Sequence, residues 1–213
     1  MKSKKDVKEI IKILKETYPE AECSLDFSNP FQMAIAVLLS AQCTDARVNI
    51  VTKELFKIAP NAKEMNKLTV EEIEKYISSC GLYKTKAKNI KKLAEKVVKE
   101  YDGNIPDNMK ELMELPGIGR KSANVIMLEA FHDPQGVAID THAKRICNRI
   151  GISKEESPEK IEKDLLKKID KDEYFDANHL CVWHGRYTCK ARRPECERCT
   201  ITKYCDYFKI KNI

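Results

Sequence analysis

The chain has 213 residues, a formal net charge of +6 from 39 basic and 33 acidic side chains, and nine cysteines. This length can bury the core of one or two domains without disulfides. No apolar run of about 18 residues is present, so we expect a cytosolic chain without a membrane partner. The small positive excess favours anionic partners such as nucleic acid, although an ordinary, slightly basic surface explains it equally well.

Helical signals begin near the N-terminus. Apolar residues repeat at spacings of three and four in the segment 7–14, which predicts an amphipathic helix. Asn29 supplies an N-cap with Pro30 at the first helical position, and the apolar run that follows indicates a buried helix. Thr44 or Asp45 can cap the next helix. The first part of the chain is therefore expected to be helical.

The same signals continue into the middle of the chain. Thr69 and Glu72 form a capping box, and Gly81 is placed to end the helix that they open. The segment 84–101 carries its apolar residues on one stripe, so its lysines are expected to form a solvated face, with contact to DNA as the alternative. A short helix is expected to end near 114.

The second half gives four further helices and a final loop. Helices are expected to start at Arg120, near Asp140 and after Pro158, and a last one to end near Arg186. The segment HDPQG (132–136) indicates a loop, and no alternating strand pattern persists anywhere. The sequence therefore predicts an all-α fold with mostly short loops.

The segment ELPGIGRKSANV (114–125) places two glycines between two predicted helices. Gly117 and Gly119 can adopt positive φ and let a phosphate approach, while the N–H groups that open the second helix point at the anion. The segment is not a dinucleotide fingerprint, because Ser122 replaces the third glycine, and not a P-loop, because Arg120 interrupts the Gly-Lys pair. An ordinary helical hairpin with a glycine turn explains it as well as a phosphate site.

Lys121 and Asp140 are the candidate catalytic residues. Lys121 lies at the start of the second helix, where the helix dipole and Arg120 both disfavour its protonated form. A lysine amine that has lost its proton can act as a nucleophile or form a Schiff base. Asp140 stands at the expected start of another helix, where an ionised carboxylate can serve catalysis or act only as an N-cap.

The cysteines fall into two groups. Five are scattered among apolar neighbours and most simply fill the core, namely Cys23, Cys43, Cys80, Cys147 and Cys181. The other four, with the spacing C-x6-C-x2-C-x5-C, are Cys189, Cys196, Cys199 and Cys205. Disulfides are not expected in a cytosolic chain, and only one close pair of the kind typical of zinc sites is present. The compact loop therefore favours a [4Fe-4S] cluster over zinc.

Three basic residues lie inside the first interval of this cysteine loop: Lys190, Arg192 and Arg193. They are candidates for a second phosphate contact, with a solvated run of charge as the alternative.

These motifs together resemble the endonuclease III family of helix-hairpin-helix DNA glycosylases. The motifs that stand in the family's order and spacing are LLSAQCTD (38–45), GLYKTKA (81–87), LPGIGRKSANV (115–125), VAIDTHAKR (137–145) and the cysteine loop. The resemblance covers essentially the whole chain. Cys43 departs from it, because alanine is expected at this position in the better-known members.

The resemblance implies two all-α lobes. One would be a six-helix barrel over residues 24–134 that carries the helix-hairpin-helix, and the other an iron-sulfur cluster lobe made of residues 1–23 and 135–213. The family excises oxidised pyrimidines from damaged double-stranded DNA and then cleaves the strand at the abasic site. We expect this chain to do the same as a monomer.

The resemblance also assigns roles to single residues. Lys121 would attack C1′ of the sugar, and Asp140 would assist its deprotonation at the mouth of the cleft between the lobes. Gln42 and Leu82 would enter the duplex. Without the family resemblance, the sequence alone would assign Gln42 to the polar end of a helix and Leu82 to the core. The [4Fe-4S] cluster would be structural and position the DNA.

Three alternatives stay open. The adenine-mismatch glycosylase of the same superfamily resembles the chain less well, because it lacks the hairpin lysine and carries an extra C-terminal domain. A non-catalytic DNA-binding module would use Lys121 only to hold phosphate and Asp140 only to cap a helix. An electron carrier built around the cluster would have no affinity for DNA.

Overall fold

The computed structural model describes residues 1–211, and within that range it contains helices, turns and bends but no β-strand. The α-helices are α1 Lys4–Thr17, α2 Pro30–Ser40, α3 Asp45–Ile58, α4 Ala62–Met65, α5 Val70–Ile77, α6 Tyr83–Glu100, α7 Met109–Met113, α8 Arg120–Phe131, α9 Thr141–Ile150, α10 Pro158–Leu166, α11 Tyr174–Tyr187 and α12 Asp206–Lys211. No helix in the described part of the chain is long and apolar enough to cross a bilayer. The predicted all-α class is confirmed.

Short polar side chains set the helix starts. The Asn29 side chain accepts the Gln32 N–H at 3.0 Å and opens α2, with Pro30 at its first position. Thr44, rather than Asp45, is the N-cap of α3. Such caps work because the first N–H groups of a helix have no partner within it.

Two short helices and one helix end differ from the sequence prediction. The predictions did not include α4 or α12, which have only four and six residues and therefore little periodicity to detect. Gly81 does not end α5, which stops at Ile77. A Cβ added to Gly81 would lie 3.2 Å from the Gln42 carbonyl oxygen, so this glycine serves the close approach of two loops.

The chain divides into two compact units: residues 24–133, and residues 1–23 together with the segment from Pro134 onward. In the first of these, α2 is the central helix, since every residue from Phe31 to Leu39 is buried. It packs against α3, α6 and α8, while α5 packs against α3 and α6. A helix that is apolar on all sides must be surrounded in this way, which explains its position.

The second unit is built around α9 and α11. Helix α1 contributes Val7, Ile10, Ile11 and Leu14 to its core and packs against α11. Helices α10 and α12 pack against α9. The Lys2 N–H donates to the Gly151 carbonyl oxygen at 2.9 Å, and the Lys2 ammonium pairs with Asp206. These contacts tie the start of the chain to the end of α9 and to α12, the helix that follows the cysteine loop.

Candidate active site and cysteine loop

The glycine turn between α7 and α8 uses its two glycines differently. Gly117 has φ +81°, and a Cβ added there would lie 2.9 Å from Leu38 Cδ1. Gly119 is the N-cap of α8 with φ −98°, and an added Cβ would have no neighbour within 4 Å. Of the two glycines that can adopt positive φ, only Gly117 therefore does so. Because no side chain caps α8, its first N–H groups can bind an anion.

Gly117→Ala is expected to destabilise the fold by about 2 kcal/mol, because a side chain in the left-handed region is strained and the new methyl group would press on Leu38. Thermal unfolding measures the change, with Gly119→Ala as the comparison. Gly119 has a compatible φ and open space around its Cα, so its substitution should cost less. Equal losses in the two variants would contradict the strain at Gly117.

Lys121 and Arg120 are both exposed in the first turn of α8, directly after the glycine turn. The lysine amine is thus accessible to a ligand that binds at the helix N-terminus. This is the arrangement that a nucleophile needs, since the amine must reach an atom of a bound substrate.

Asp140 lies in the other unit, as the N-cap of α9. Its Oδ1 atom accepts the Ala143 N–H at 2.8 Å, and this contact leaves Oδ2 available for another partner. The segment before it is fixed by Asn178 of α11, which accepts the Ala138 N–H at 2.8 Å and donates to the Gly136 carbonyl oxygen at 3.2 Å. The half-buried carboxyl group is therefore a helix cap, and it can also serve a ligand.

Gln42 and Leu82 lie on adjacent loops of the same unit. Both are exposed, and both have left-handed backbones, with φ of +53° and +59°. Leu82 is 60% exposed, so the alternative of a core residue is wrong. Non-glycine residues rarely adopt this conformation, and such strain collects at functional sites.

The two loops also meet through their thiols. Burial and a hydrogen bond with the Cys43 thiol raise the pKa of Cys80 to about 11. Cys80 is buried as expected, whereas Cys43 is only half-buried. The residue that departs from the family pattern therefore joins the Gln42 loop to the loop that precedes Leu82.

The cysteine loop surrounds a small cavity that is partly open to solvent. All four of its thiols line this cavity, together with Arg149 and apolar residues. Burial raises the pKa of Cys199 and Cys205, and the neighbouring thiols act in the same direction. Bringing four thiolates together here therefore requires a positively charged group to offset them.

Two arginines of α9, which the sequence analysis did not single out, hold this loop. Arg145 Nε donates to the Cys189 carbonyl oxygen at 2.9 Å. Arg149 Nη1 donates to the Lys190 carbonyl oxygen at 2.8 Å and contacts Cys189 Sγ at 3.4 Å. Their spacing of four residues was the available signal, because residues at i and i+4 share one face of a helix.

A histidine supports the opposite side of the loop. His184 is buried, its Nε2 lies 3.9 Å from Cys199 Sγ, and its Nδ1 lies 3.1 Å from the Tyr18 hydroxyl oxygen. Burial and the charge of Arg145 lower the pKa of His184 to about 4. The imidazole is therefore neutral at physiological pH.

The three basic residues of the loop differ in their surroundings. Lys190, Arg192 and Arg193 are all exposed. The Lys190 ammonium pairs with Glu195, and Arg193 has φ +53°. Arg192 and Arg193 are thus the stronger candidates for contact with an anion, since the charge of Lys190 already has a partner.

Comparison with known proteins agrees with this geometry. Residues 35–171 match the family model described as HhH-GPD superfamily base excision DNA repair protein. Endonuclease III of Synechocystis sp. is 45% identical over 206 residues, covering 96% of this chain and 94% of the relative. Endonuclease III of Escherichia coli K12 is 42% identical over 199 residues, with coverages of 93% and 94%.

The solved structures extend the agreement to three dimensions. The structure described as a trapped endonuclease III-DNA covalent intermediate in an estranged-adenine complex has a TM-score of 0.95 and 40% identity, and the match covers 100% of both chains. A non-covalent endonuclease III-DNA complex gives a TM-score of 0.94 at 40% identity, over 100% of this chain and 99% of that one. Because the likeness extends over nearly the full length of these relatives, the chain belongs to the endonuclease III family within the HhH-GPD superfamily of base excision DNA repair proteins.

Proposed function

We propose that this protein is a bifunctional DNA glycosylase and abasic-site lyase. It excises oxidised pyrimidines from damaged double-stranded DNA and then cleaves the abasic strand by β-elimination. The observation that carries the proposal is the exposed Lys121 amine in the first turn of α8, directly after a glycine turn with uncapped N–H groups. A phosphate held by those N–H groups would bring a sugar of the same strand close to the amine.

The reaction begins with exposure of the damaged nucleotide. A base inside the stack cannot be attacked, so the nucleotide is flipped out at a cost of a few kcal/mol, which damage reduces. Gln42 and Leu82 fill the space that the base leaves. Their exposure and left-handed backbones, on two loops in contact, support this role.

Lys121 and Asp140 carry out base excision and strand cleavage. The Lys121 amine attacks C1′ and displaces the base, while the Asp140 carboxylate assists loss of the amine proton and offsets the positive charge that develops on the sugar. The base leaves with a proton, and the C1′–O4′ bond then breaks as O4′ takes up a proton, which gives a protonated imine between C1′ and Lys121. This imine makes the C2′ proton acidic. Loss of this proton expels the 3′ phosphate, so the strand is cleaved by β-elimination.

We also propose that the cysteine loop holds a [4Fe-4S] cluster. The four cysteines Cys189, Cys196, Cys199 and Cys205 line one pocket, so their thiols can act as one ligand set. Iron-sulfur clusters are held by four cysteine thiolates, whereas only Cys196 and Cys199 have the close spacing typical of structural zinc sites. When bound, the cluster would fix the fold of the loop and take no part in excision.

The loop would then present Arg192 and Arg193 to the DNA backbone, as a contact separate from Gly117, Gly119 and Arg120. Phosphate contacts of this kind make the affinity for DNA fall with rising salt concentration.

The proposal also includes the two lobes that the family resemblance implies. One is a helix-hairpin-helix barrel over 24–134, and the other is a cluster domain over 1–23 and 135–213. The same proposal places the protein in the cytoplasm, and on the nucleoid when it is bound to DNA.

Borohydride trapping tests the proposal. The native protein is incubated with a duplex that carries one oxidised pyrimidine, and borohydride reduces any imine to a stable adduct. A covalent adduct is expected. If none forms although the protein binds DNA tightly, the chain is a monofunctional glycosylase or a binding module, and a duplex with an adenine mismatch separates those two. An electron carrier would bind neither duplex.

Asp140→Asn is expected to slow excision by about 10²-fold or more, because the charge that faces the developing positive sugar is lost. Asparagine is as good an N-cap as aspartate, so the start of α9 should survive. Single-turnover assays on an oxidised pyrimidine and on a pre-formed abasic site measure the two steps separately. Some lyase activity should remain; an equal loss in both assays would indicate a merely structural role.

A further inference from the structure

The side chain of Lys86 is buried inside the unit formed by residues 24–133. It belongs to α6 and is only 4% exposed. Its Nζ donates to the Leu39 carbonyl oxygen at 2.9 Å and to the Ala41 carbonyl oxygen at 2.6 Å. Both acceptors lie at the C-terminal end of α2, where the last carbonyl groups lack partners and the helix dipole is negative.

These two hydrogen bonds join α6, which begins directly after Leu82, to the end of α2, which lies just before Gln42. Ala41 immediately precedes Gln42, and the Lys86 N–H donates to the Leu82 carbonyl oxygen at 3.0 Å in the first turn of α6. Lys86 therefore holds the end of one loop with its side chain and the start of α6 with its backbone. Movement of the end of α2 away from α6 would break the two hydrogen bonds of the Lys86 ammonium group.

A further contact at the same place leaves little freedom. The Gln42 carbonyl oxygen lies 3.2 Å from where a Gly81 Cβ would be, so the backbones of the two loops approach each other closely. A buried ammonium group with carbonyl acceptors is costly compared with an apolar side chain of similar volume. An apolar residue cannot bind carbonyl groups, so it could not hold the two loops in one strained arrangement. The Lys86 ammonium group can, and this role explains why a costly buried charge is present.

We infer that Lys86 is a positioning residue for base flipping: through the carbonyl groups of Leu39 and Ala41, it holds Gln42 and Leu82 in the geometry that enters the duplex. Lys86 itself contacts neither DNA nor the reacting atoms. This inference rests on the proposed function. It adds that efficient excision of a paired lesion depends on a buried cation that lies beneath the two loops.

The test compares Lys86→Met with the native protein in two assays. Methionine has a similar length but cannot donate a hydrogen bond. Excision of a paired oxidised pyrimidine requires flipping, whereas cleavage at a pre-formed abasic site has no base to unpair. The ratio of the two single-turnover rates should fall by about 10- to 100-fold, the loss typical of a misplaced reactive geometry. Any unfolded fraction cancels in this ratio, and Lys86→Gln serves as the second variant if Lys86→Met does not fold.

Two controls make the result specific. Lys99→Met removes the same charge from an exposed position of α6, about 20 Å along the helix from Lys86, and should leave the ratio unchanged. In a Gln42→Ala, Leu82→Ala background, adding Lys86→Met should change the ratio by less than about threefold, because the residues that it positions are already absent.

An unchanged ratio in Lys86→Met, or a full further loss in the Gln42→Ala, Leu82→Ala background, would overturn the inference while leaving the proposed function in place. Failure of the proposed function looks different. In that case the native protein itself neither excises the oxidised base nor cleaves the abasic strand.

Discussion

Lys121→Gln should abolish both excision and the borohydride-trapped adduct while DNA binding persists. Glutamine keeps much of the length of lysine but has no nucleophilic amine, so C1′ cannot be attacked. Loss of a nucleophile commonly reduces the rate by many orders of magnitude, and we expect at least about 10³-fold. Lys121 is exposed at the start of α8, so its replacement should not disturb the fold.

The matched control is Arg120→Gln, which removes a positive charge from the neighbouring position. It should weaken binding, and an adduct should still form once the duplex is saturated with protein. Gel-based trapping measures the adduct, and fluorescence anisotropy measures the affinity. Normal turnover by Lys121→Gln would refute the assignment of the nucleophile, and loss of the adduct in Arg120→Gln at saturation would show that charge alone explains the effect.

Removal of one cysteine of the loop should have the second large effect. Cys199→Ala is expected to eliminate the broad visible absorbance of an iron-sulfur cluster together with bound iron and sulfide. Without the metal group, the segment 189–205 loses the cross-links between its cysteines. We expect a loss of at least about 3 kcal/mol of folding free energy. For a chain of this length, that corresponds to a fall in melting temperature of about 6–12 °C.

The comparison variant is Cys23→Ala, which removes a cysteine from outside the loop and should keep the cluster absorbance. Affinity for an undamaged duplex should fall in Cys199→Ala only, because Arg192 and Arg193 lose their fixed positions. Metal analysis of the purified native protein decides the identity of the metal. Zinc without iron in the native protein would contradict the cluster.

The helical architecture was largely predictable from the sequence because its signals are local. An N-cap such as Asn29 satisfies N–H groups within its own first turn, and the apolar stripe of α1 repeats within a few residues. The glycine turn and the cysteine loop were visible for the same reason: each motif is contained in one short segment. Helices α4 and α12, with four and six residues, were missed because segments this short carry no measurable period.

The candidate site was predictable only in part. The sequence with its family resemblance pointed to Lys121, Asp140 and the four cysteines, since each stands within a recognisable motif. It did not reveal the arginines that hold the cysteine loop. Arg145 and Arg149 bind carbonyl groups about 40 residues away in the chain, and any exposed arginine has the same local pattern.

The lysines of α6 show most clearly the difference between what the sequence determines and what the tertiary structure determines. The sequence by itself determined that 84–101 is an amphipathic helix, because apolar periodicity is a property of the segment alone. It also predicted that the lysines of this helix form a solvated or DNA-facing surface, which is wrong for Lys86. Only the packing of α6 against the end of α2 supplies carbonyl acceptors for a buried ammonium group. When the partners of a side chain are distant in sequence, the packing of the helices determines which residues they are. No local pattern contains that information.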